Sequence, residues 1–596
     1  MRSPLLLLLL ISLGCVSSFK ILVYIPKFAI SHINFMGKIA DTLVEAGHNV
    51  TVLISEMDAT LPDGTKKAQI LRISPAEGAD HMNTHFMVGD TDMFEMQSDS
   101  WSGVIENARH NSVSFCRQCR KLLTTPGLVD KLKEKKYDAL ITENFEKCGV
   151  GLSHLVSPGS LIVVSSSMLI AAEDFGVATS LTADQGAMSD GRLHNTLYSR
   201  FMQIYNKALF STFVATQDNP LHQIFEEIHP GTPSFAEISS NAAVVLPNGE
   251  PLASIATSTL SKIVPIGGIT VGKPKPLDDY WNALLSLRPK TVFVSFGSIC
   301  KSVLMKPARK RALLEAFSSF PDTTFIWKYE NSTDFFSTFQ AAKVPNVVLT
   351  EWAPQLDLLA DRRLSLFISH AGMASCHELS TFGVPAILVP IFGDQPHNAA
   401  GLVHNGIADV FNKFDMTDAR KIRAAIARMF SDPSYKAAAD RLREQIAASP
   451  TTPEQRLVSH VEFAARFGPS KSLRPLSLNM SWTQFWGIDL ILIGVAALIF
   501  AVVAAITVFT ALQSSLRLIK IRKVHRKVEG QYLYGTTADR LPFSQMRALL
   551  LLLLIAAGCI SSYKILVYIP KFAVSHINFM GKIADTLVEA GHNVVS

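Results

Sequence analysis

The 596-residue sequence predicts an α/β protein of two facing Rossmann-like domains followed by one C-terminal membrane-spanning helix. Three observations predict it. Short runs rich in β-branched residues alternate with helical patterns in two separate series, the rhythm of parallel βαβ units. A stretch rich in Gly and Pro, VPIGGITVGKPKPLDD over residues 264–279, separates the series as a linker. Near the end, residues 488–512 form an apolar run with Asp489 its only charge, long enough to cross a bilayer.

Residues 1–17 read as a signal peptide, with Arg2, the apolar run Leu5 to Leu13 and small residues at Cys15 and Ser17. The first domain is expected over 18–263. KILVYIP (20–26) is a buried strand, residues 35–46 a helix closed by Gly47, residues 49–54 a second strand, and YDALITE (137–143) a later one. Ser31 and His32 fall in the loop after the first strand. A loop-borne histidine at the carboxyl end of a strand suits a general base, because neutral imidazole is available near pH 7. From about 149 to 251 the pattern is less regular, with loop composition over 176–193 beside apolar patches such as 197–214.

The second domain is expected over 280–470 and opens with TVFVSFGS, which ends at Ser298. Its densest stretch, 347–400, reads as strand, short helix, strand, helix, strand, then a polar loop into another helix. Trp352, His370, Asp394 and Gln395 all fall beyond the carboxyl ends of these strands, where open α/β sheets bind ligands. His370, Ala371 and Gly372 lead at once into a helix, and small residues before a helix N-terminus suit an anion such as a diphosphate.

Trp482 and Trp486 mark the near interface of the apolar run, and six basic residues between Arg517 and Lys527 follow it. Basic residues favour the cytosolic side, which puts the tail 513–545 in the cytosol and both folded domains in the lumen. The formal charge of +6 is mild and gathered there, so no nucleic-acid footprint is present. Of seven cysteines, Cys15 and Cys559 lie in targeting segments, leaving five, too few for a disulfide framework. Cys116 and Cys119 lack a second ligand pair at zinc spacing, and no metal site is expected. Asn331 is the expected glycosylation sequon, Asn49 being assigned to a buried strand and Asn479 lying close to the membrane.

From Met546 the chain repeats its own beginning: 561–594 differs from 17–50 only at Tyr563 and Val574. Such a fragment cannot bury a core alone. The expectation is that two adjacent, similar genes were joined in one coding sequence, and His576, the copy of His32, is assigned no role.

WAPQ (352–355), H-x-G (370–372), S-x-x-E (375–378), GVPAILVP (383–390) and DQPHNA (394–399) stand in an order that resembles the donor-site signature of the UDP-glycosyltransferases, which include the membrane-bound UDP-glucuronosyltransferases. The resemblance implies the two-domain GT-B arrangement. It implies that Trp352 stacks on uracil and that Gln355 bonds the nucleoside. His370, Gly372 and Ser375, with the following amides and Ser298, would hold the diphosphate; Glu378 would accept from ribose hydroxyls, and Asp394 with Gln395 from the sugar. Two positions depart from the pattern: Ala371, where the family often has Gly, and Ala374, where it often has Asn. The family's catalytic histidine matches His32, and Glu143 stands where many relatives place the Asp that steadies it. The implied reaction is an inverting displacement with His32 as base. No cofactor or metal is implied; the co-substrate is a UDP-sugar, glucuronic acid the first choice and glucose the alternative. The acceptor would be a small lipophilic hydroxyl compound, and the site the lumenal face of the endoplasmic reticulum membrane, with homo-oligomerisation left open. A non-catalytic relative that binds nucleotide sugar or lipid is the other class, and the presence of both His32 and Glu143 favours catalysis.

Overall fold

The computed structural model describes residues 18–79, 92–95, 100–167, 172–177 and 196–529. The expected signal peptide, most of the 176–193 loop, the end of the basic tail and the repeat from 546 lie outside the described residues.

Two parallel six-stranded sheets carry the two series. The first contains β1 (Lys20–Lys27), β2 (Asn49–Glu56), β3 (Gln69–Ile73), β4 (Ala139–Glu143), β5 (Leu161–Ser165) and β6 (Val244–Pro247), in the order β3-β2-β1-β4-β5-β6. The second contains β7 (Lys290–Ser295), β8 (Thr323–Lys328), β9 (Val347–Thr350), β10 (Leu364–Ser369), β11 (Ala386–Leu388) and β12 (Ala408–Val410), in the order β12-β11-β10-β7-β8-β9. Each order reverses once, between β1 and β4 and between β7 and β10, and these reversals open the crevices in which doubly wound sheets bind ligands.

Both faces of each sheet are covered, so the strands are apolar throughout rather than alternating. In β1, Leu22 and Tyr24 enter one core while Ile21, Val23 and Ile25 enter the other. In β7, Val292 and Val294 face one side and Phe293 the other. Helices supply the cover. Those that position the site are α1 (Ile30–Glu45), α2 (Trp101–Thr124), α3 (Cys148–Val156), α4 (Leu197–Ile228), α5 (Pro307–Ser318), α6 (Gln355–Ala360), α7 (Met373–Phe382) and α8 (Gln395–His404).

The lobes interlock in two ways that sequence segmentation missed. Helix α9 (Pro453–Phe467), inside the stretch expected for the second domain, returns to the first and buries Leu457, Val461 and Ala464 in its core. In the other direction, the turn Met93–Glu95 of the first half of the chain buries Met93 and Phe94 in the core of the second lobe. Arg309 on α5, its side chain 3% exposed, holds that turn through Asp92 at 2.9 Å and Glu95 at 2.5 Å. Phe94 meets Phe296 edge to face with ring centroids 5.2 Å apart. The linker also begins later than expected, because Ile266 and Ile269 still belong to the first core.

Cys119 on α2 and Cys148 at the start of α3 form a disulfide with Cα atoms 5.8 Å apart. The sequence had suggested no bridge: 29 residues separate the pair, and the nearer neighbour, Cys116, is free. Asn49 is exposed at the first position of β2, which corrects its assignment to buried strand. Beyond the domains, α10 (Ile488–Glu529) runs unbroken from the apolar stretch into the basic one. Its stretch Ile488–Lys523, with an 18-residue window of mean hydropathy 3.0, is long and apolar enough to cross a membrane.

Phe94→Ala is expected to lower stability by roughly 3 kcal/mol, the usual cost of emptying a phenylalanine site in a packed core. Thermal unfolding of the detergent-solubilised protein checks this against Ile70→Ala, at an exposed position. Equal midpoints for the two variants would remove the interlock.

Candidate active site

The first half of the site lies where the order of the first sheet reverses. Helix α1 starts almost at once after β1, so His32 sits in its first turn; the sequence had placed it in a loop, with the helix beginning at 35. The neighbouring strand β4 ends in Glu143. The two side chains meet: His32 Nδ1 lies 2.9 Å from Glu143 Oε2, with the imidazole 20% exposed and the carboxylate 1%. The other carboxylate oxygen accepts the Ser166 backbone N–H at 2.8 Å. The methylene that distinguishes Glu from Asp therefore does not prevent the contact.

Burial pulls the His32 pKa down, but the charge and hydrogen bond of Glu143, with the charge of Asp394, outweigh it and raise the pKa above its ordinary 6.5. Burial pushes Glu143 upward, and His32 together with Ser166 holds it below its ordinary 4.5. Asp394 belongs to the second lobe, and its charge adds to that of Glu143 in raising His32.

Aromatic rings wall the histidine. Phe28 and Phe145 stand 4.6 and 5.5 Å from its ring centroid, and Phe213 of α4 packs on Phe145 at 6.3 Å. Sequence reading had sought the apolar pocket only between 149 and 251; Phe28 and Phe145 carried no periodic signal because each lies alone within two residues of a strand's end. The loop bearing Phe145 is fastened from several directions. Gln217 donates to the Phe145 carbonyl at 2.6 Å, and the disulfide secures Cys148. Buried Lys147 pairs with Asp174 at 3.2 Å and Asp218 at 3.7 Å. Burial lifts Asp218 to about 6 despite Lys147.

The second half lies at the reversal of the other sheet. Ser298 is exposed on the loop after β7, and His370 follows β10. Gly297 has φ +86°, and a Cβ there would fall 2.6 Å from the His370 ring, so the loop can pass the imidazole only without a side chain. Burial, then the charge of Lys328, lowers His370 to about 4, which makes it a neutral imidazole at physiological pH. Its Nδ1 is buried without a hydrogen-bond partner.

Ala371 adopts φ +64°, a left-handed conformation that costs a residue bearing Cβ about 1–2 kcal/mol. Two hydrogen bonds hold it there, its N–H donating to Ser369 Oγ at 3.3 Å and its carbonyl accepting from Asn398 Nδ2 at 3.1 Å. Here the departure from Gly has a local cost. Gly372 caps α7 without any side-chain hydrogen bond, which leaves the first-turn amides directed into the crevice.

Gln355, first residue of α6, donates to Ser375 Oγ at 3.0 Å and to Glu378 Oε2 at 2.5 Å, tying three of the expected donor residues together. Burial raises Glu378, and the Gln355 bond offsets part of that. Trp352 is 73% exposed, which excludes a core role and leaves its face open. Lys328, absent from the sequence-based set, donates to the Gly297 carbonyl at 2.8 Å and lies 5.9 Å from the Trp352 ring centroid. A lone lysine closing a strand gives no signal in sequence.

Asp394 caps α8 and accepts from Asn398 at 2.9 Å; burial raises its pKa. Gln395 differs from expectation. Its Oε1 accepts the N–H groups of Ile391 and Phe392 at 2.8 and 3.1 Å, so only its amide NH₂ remains for a ligand. Among the described residues no group of three His, Cys, Asp or Glu side chains is disposed to hold a metal ion.

The family model described as "UDP-glucoronosyl and UDP-glucosyl transferase" matches residues 20–525. Among curated proteins, the putative UDP-glucuronosyltransferase ugt-50 of Caenorhabditis elegans is 27% identical over 494 residues, 80% of this chain and 91% of that protein. UDP-glucuronosyltransferase 1A10 of Homo sapiens is 25% identical over 500 residues, 82% and 90% of the two chains. Among solved structures, the kitacinnamycin glycotransferase superposes with a TM-score of 0.52 at 17% identity, covering 76% of this chain and 99% of that one. The calicheamicin glycosyltransferase CalG4 gives 0.50 at 14%, covering 76% and 100%. At these identities the structural likeness establishes the two-domain glycosyltransferase fold.

The two shifts in the His32–Glu143 pair fix a pH window. The raised His32 contributes stability that is complete below 6.5 and lost as pH rises through its folded value. The lowered Glu143 contributes above 4.5 and loses it as pH falls through its folded value. The stability difference between wild type and Glu143→Gln is therefore expected to peak between pH 4.5 and 6.5 and shrink on either side. A difference that stays flat in thermal melts from well below pH 4.5 to well above pH 6.5 would argue against an ion pair.

Proposed function

The chain belongs to the UDP-glucoronosyl and UDP-glucosyl transferase family and is a UDP-glycosyltransferase, and from that premise we propose that His32 is the general base of an inverting transfer to a lipophilic hydroxyl acceptor. The observation that carries the reading is the 2.9 Å contact of His32 Nδ1 with Glu143, with Asp394 of the other lobe acting on the same imidazole. Glu143 holds the proton on Nδ1 and leaves the Nε2 lone pair for the acceptor. The acceptor O–H gives its proton to Nε2 as its oxygen bonds to the anomeric carbon. The bond from that carbon to the diphosphate breaks on the opposite face, and UDP departs with the electron pair. Glu143 then stabilises the imidazolium.

Charge developing on the diphosphate is met by the uncapped N-terminus of α7, by His370 and Ser298, and by Lys328. Because burial keeps His370 neutral before an anion arrives, its part is hydrogen bonding, and Lys328 supplies the full positive charge. Trp352 offers an open aromatic face for uracil and Glu378 an acceptor for ribose. Asp394 would accept from sugar hydroxyls, and Gln395, its oxygen engaged by backbone, would donate to them. Phe28, Phe145 and Phe213 favour acceptors with an aromatic or lipophilic body.

Glucuronic acid is the proposed sugar, after the curated relatives, which are named as glucuronosyltransferases. A lumenal orientation is supported by the basic run after the span and by the Cys119–Cys148 disulfide, which suits an oxidising compartment.

His32→Ala in membranes is expected to lower turnover about 10²–10⁴-fold while leaving the Kd for UDP within about twofold; undiminished turnover would end the general-base assignment. Glu143→Gln should slow transfer and move the acid limb of the pH–rate profile to lower pH, since it removes the charge that raises His32. Assays of the membranes with UDP-glucuronic acid and UDP-glucose against one phenolic acceptor decide the sugar, a faster rate with glucose overturning the assignment.

A further inference from the structure

The bonds that steady the His32–Glu143 pair continue past Glu143 along the rim of the first sheet. There β1, β4, β5 and β6 lie side by side, so the residues at their carboxyl ends form one edge. Glu143 closes β4, Ser166 follows β5 at once, and Asn248 follows β6 at once. Neighbour is bonded to neighbour: the Ser166 N–H donates to Glu143 Oε1 at 2.8 Å, and Asn248 Nδ2 donates to the Ser166 carbonyl at 3.1 Å.

Asn248, 5% exposed, grips this turn twice. Its backbone N–H donates at 2.8 Å to the carbonyl of Ser165, which belongs to the same peptide unit as the Ser166 N–H directed at Glu143. Bonds in series polarise one another, so the first strengthens the second. The side-chain bond fixes the next carbonyl, and with it the direction in which the chain leaves β5. That amide can sit only one way round, since an oxygen turned toward the Ser166 carbonyl would meet another acceptor. In this orientation Asn248 Oδ1 is buried with no hydrogen-bond partner among the described residues. Leaving a buried oxygen unsatisfied is costly, and packing alone would be better served there by an apolar side chain.

Resting on the reading of His32 as the base, we propose that Asn248 is a positioning residue for the transfer: through the Ser165–Ser166 turn it aims the N–H that holds the Glu143 carboxylate, and so sets the orientation of His32 toward the acceptor. A carboxylate only 1% exposed depends on such donors to stay charged. Without the Asn248 bond the chain after β5 is free to turn, and Glu143 can leave the geometry in which one oxygen takes Ser166 and the other His32. The other acidic groups near the pair do not replace it. Asp394 acts on His32 from the second lobe, and burial lifts Glu146, which lies near Glu143, to about 8, so that it carries little charge at neutral pH.

The test is a double-mutant cycle on the full chain in membranes, with steady-state rates for one phenolic acceptor and whichever of UDP-glucuronic acid and UDP-glucose is turned over faster. Asn248→Leu keeps the branching of the side chain and removes the donor. It is expected to lower kcat about tenfold, the upper end of what one neutral hydrogen bond carries, with the Kd for UDP within about twofold. The acid limb of the pH–rate profile should move to lower pH, as for Glu143→Gln but by less, because the charge that raises His32 is held less closely. In the Glu143→Ala background the same substitution should change kcat by less than about twofold. An equal loss in both backgrounds, or no loss in the first, overturns the proposal. Retained UDP affinity certifies the fold; should Asn248→Leu lose it, Asn248→Ala carries the cycle to the same outcomes. His32→Ala separates the two readings: undiminished turnover there removes the base and this inference together, whereas an inactive His32→Ala with equal Asn248 losses removes the inference alone.

Discussion

Glu143 reaches His32 because β1 and β4 are adjacent parallel strands, and in such a sheet their carboxyl ends emerge on the same rim. The helix that leaves β1 and the chain that leaves β4 turn away to opposite faces, which opens a crevice just where the two side chains project. The second sheet repeats the device with β7 and β10, and so gathers Ser298 and His370 at one edge. Everything on the donor side depends on small residues at that edge: Gly297 clears the imidazole, and Gly372 leaves the α7 amides free of any side chain.

Facing the rims toward each other is a separate requirement, met by exchange between lobes. Helix α9 completes the first core, and the turn at Met93 and Phe94 completes the second. Arg309, almost fully buried, would be costly to desolvate alone; between Asp92 and Glu95 its charge is matched in place. Because Phe94 packs on Phe296, two residues before Ser298, the loop that approaches the diphosphate rests partly on a segment of the opposite half of the chain.

Legibility in the sequence followed the range of the interaction. Strands buried on both faces appear as unbroken apolar runs, and all of those read from sequence, at 20, 49, 137, 291, 347, 364 and 386, are strands in the structure. Motif order likewise gave Gln355, Ser375 and Glu378, whose side chains hydrogen-bond to one another. Failures came where a partner lies far along the chain. Lys328, Phe28 and Phe145 are single residues without a pattern, and the disulfide joins cysteines whose spacing names no pair. Gln395 was misjudged because the bonds that occupy its oxygen come from a loop conformation, not from composition.

By itself the sequence determined two parallel series, a donor-type rim on the second, a histidine after the first strand and a span near the end, because periodicity, spacing and run length are local properties of a chain. Only the tertiary structure decided that Glu143 engages His32, that Asp394 acts on the same imidazole from the opposite lobe, and that the lobes share core segments. Those are interactions between residues from about 110 to more than 400 positions apart, and no local pattern encodes a distance that exists only once both sheets have formed.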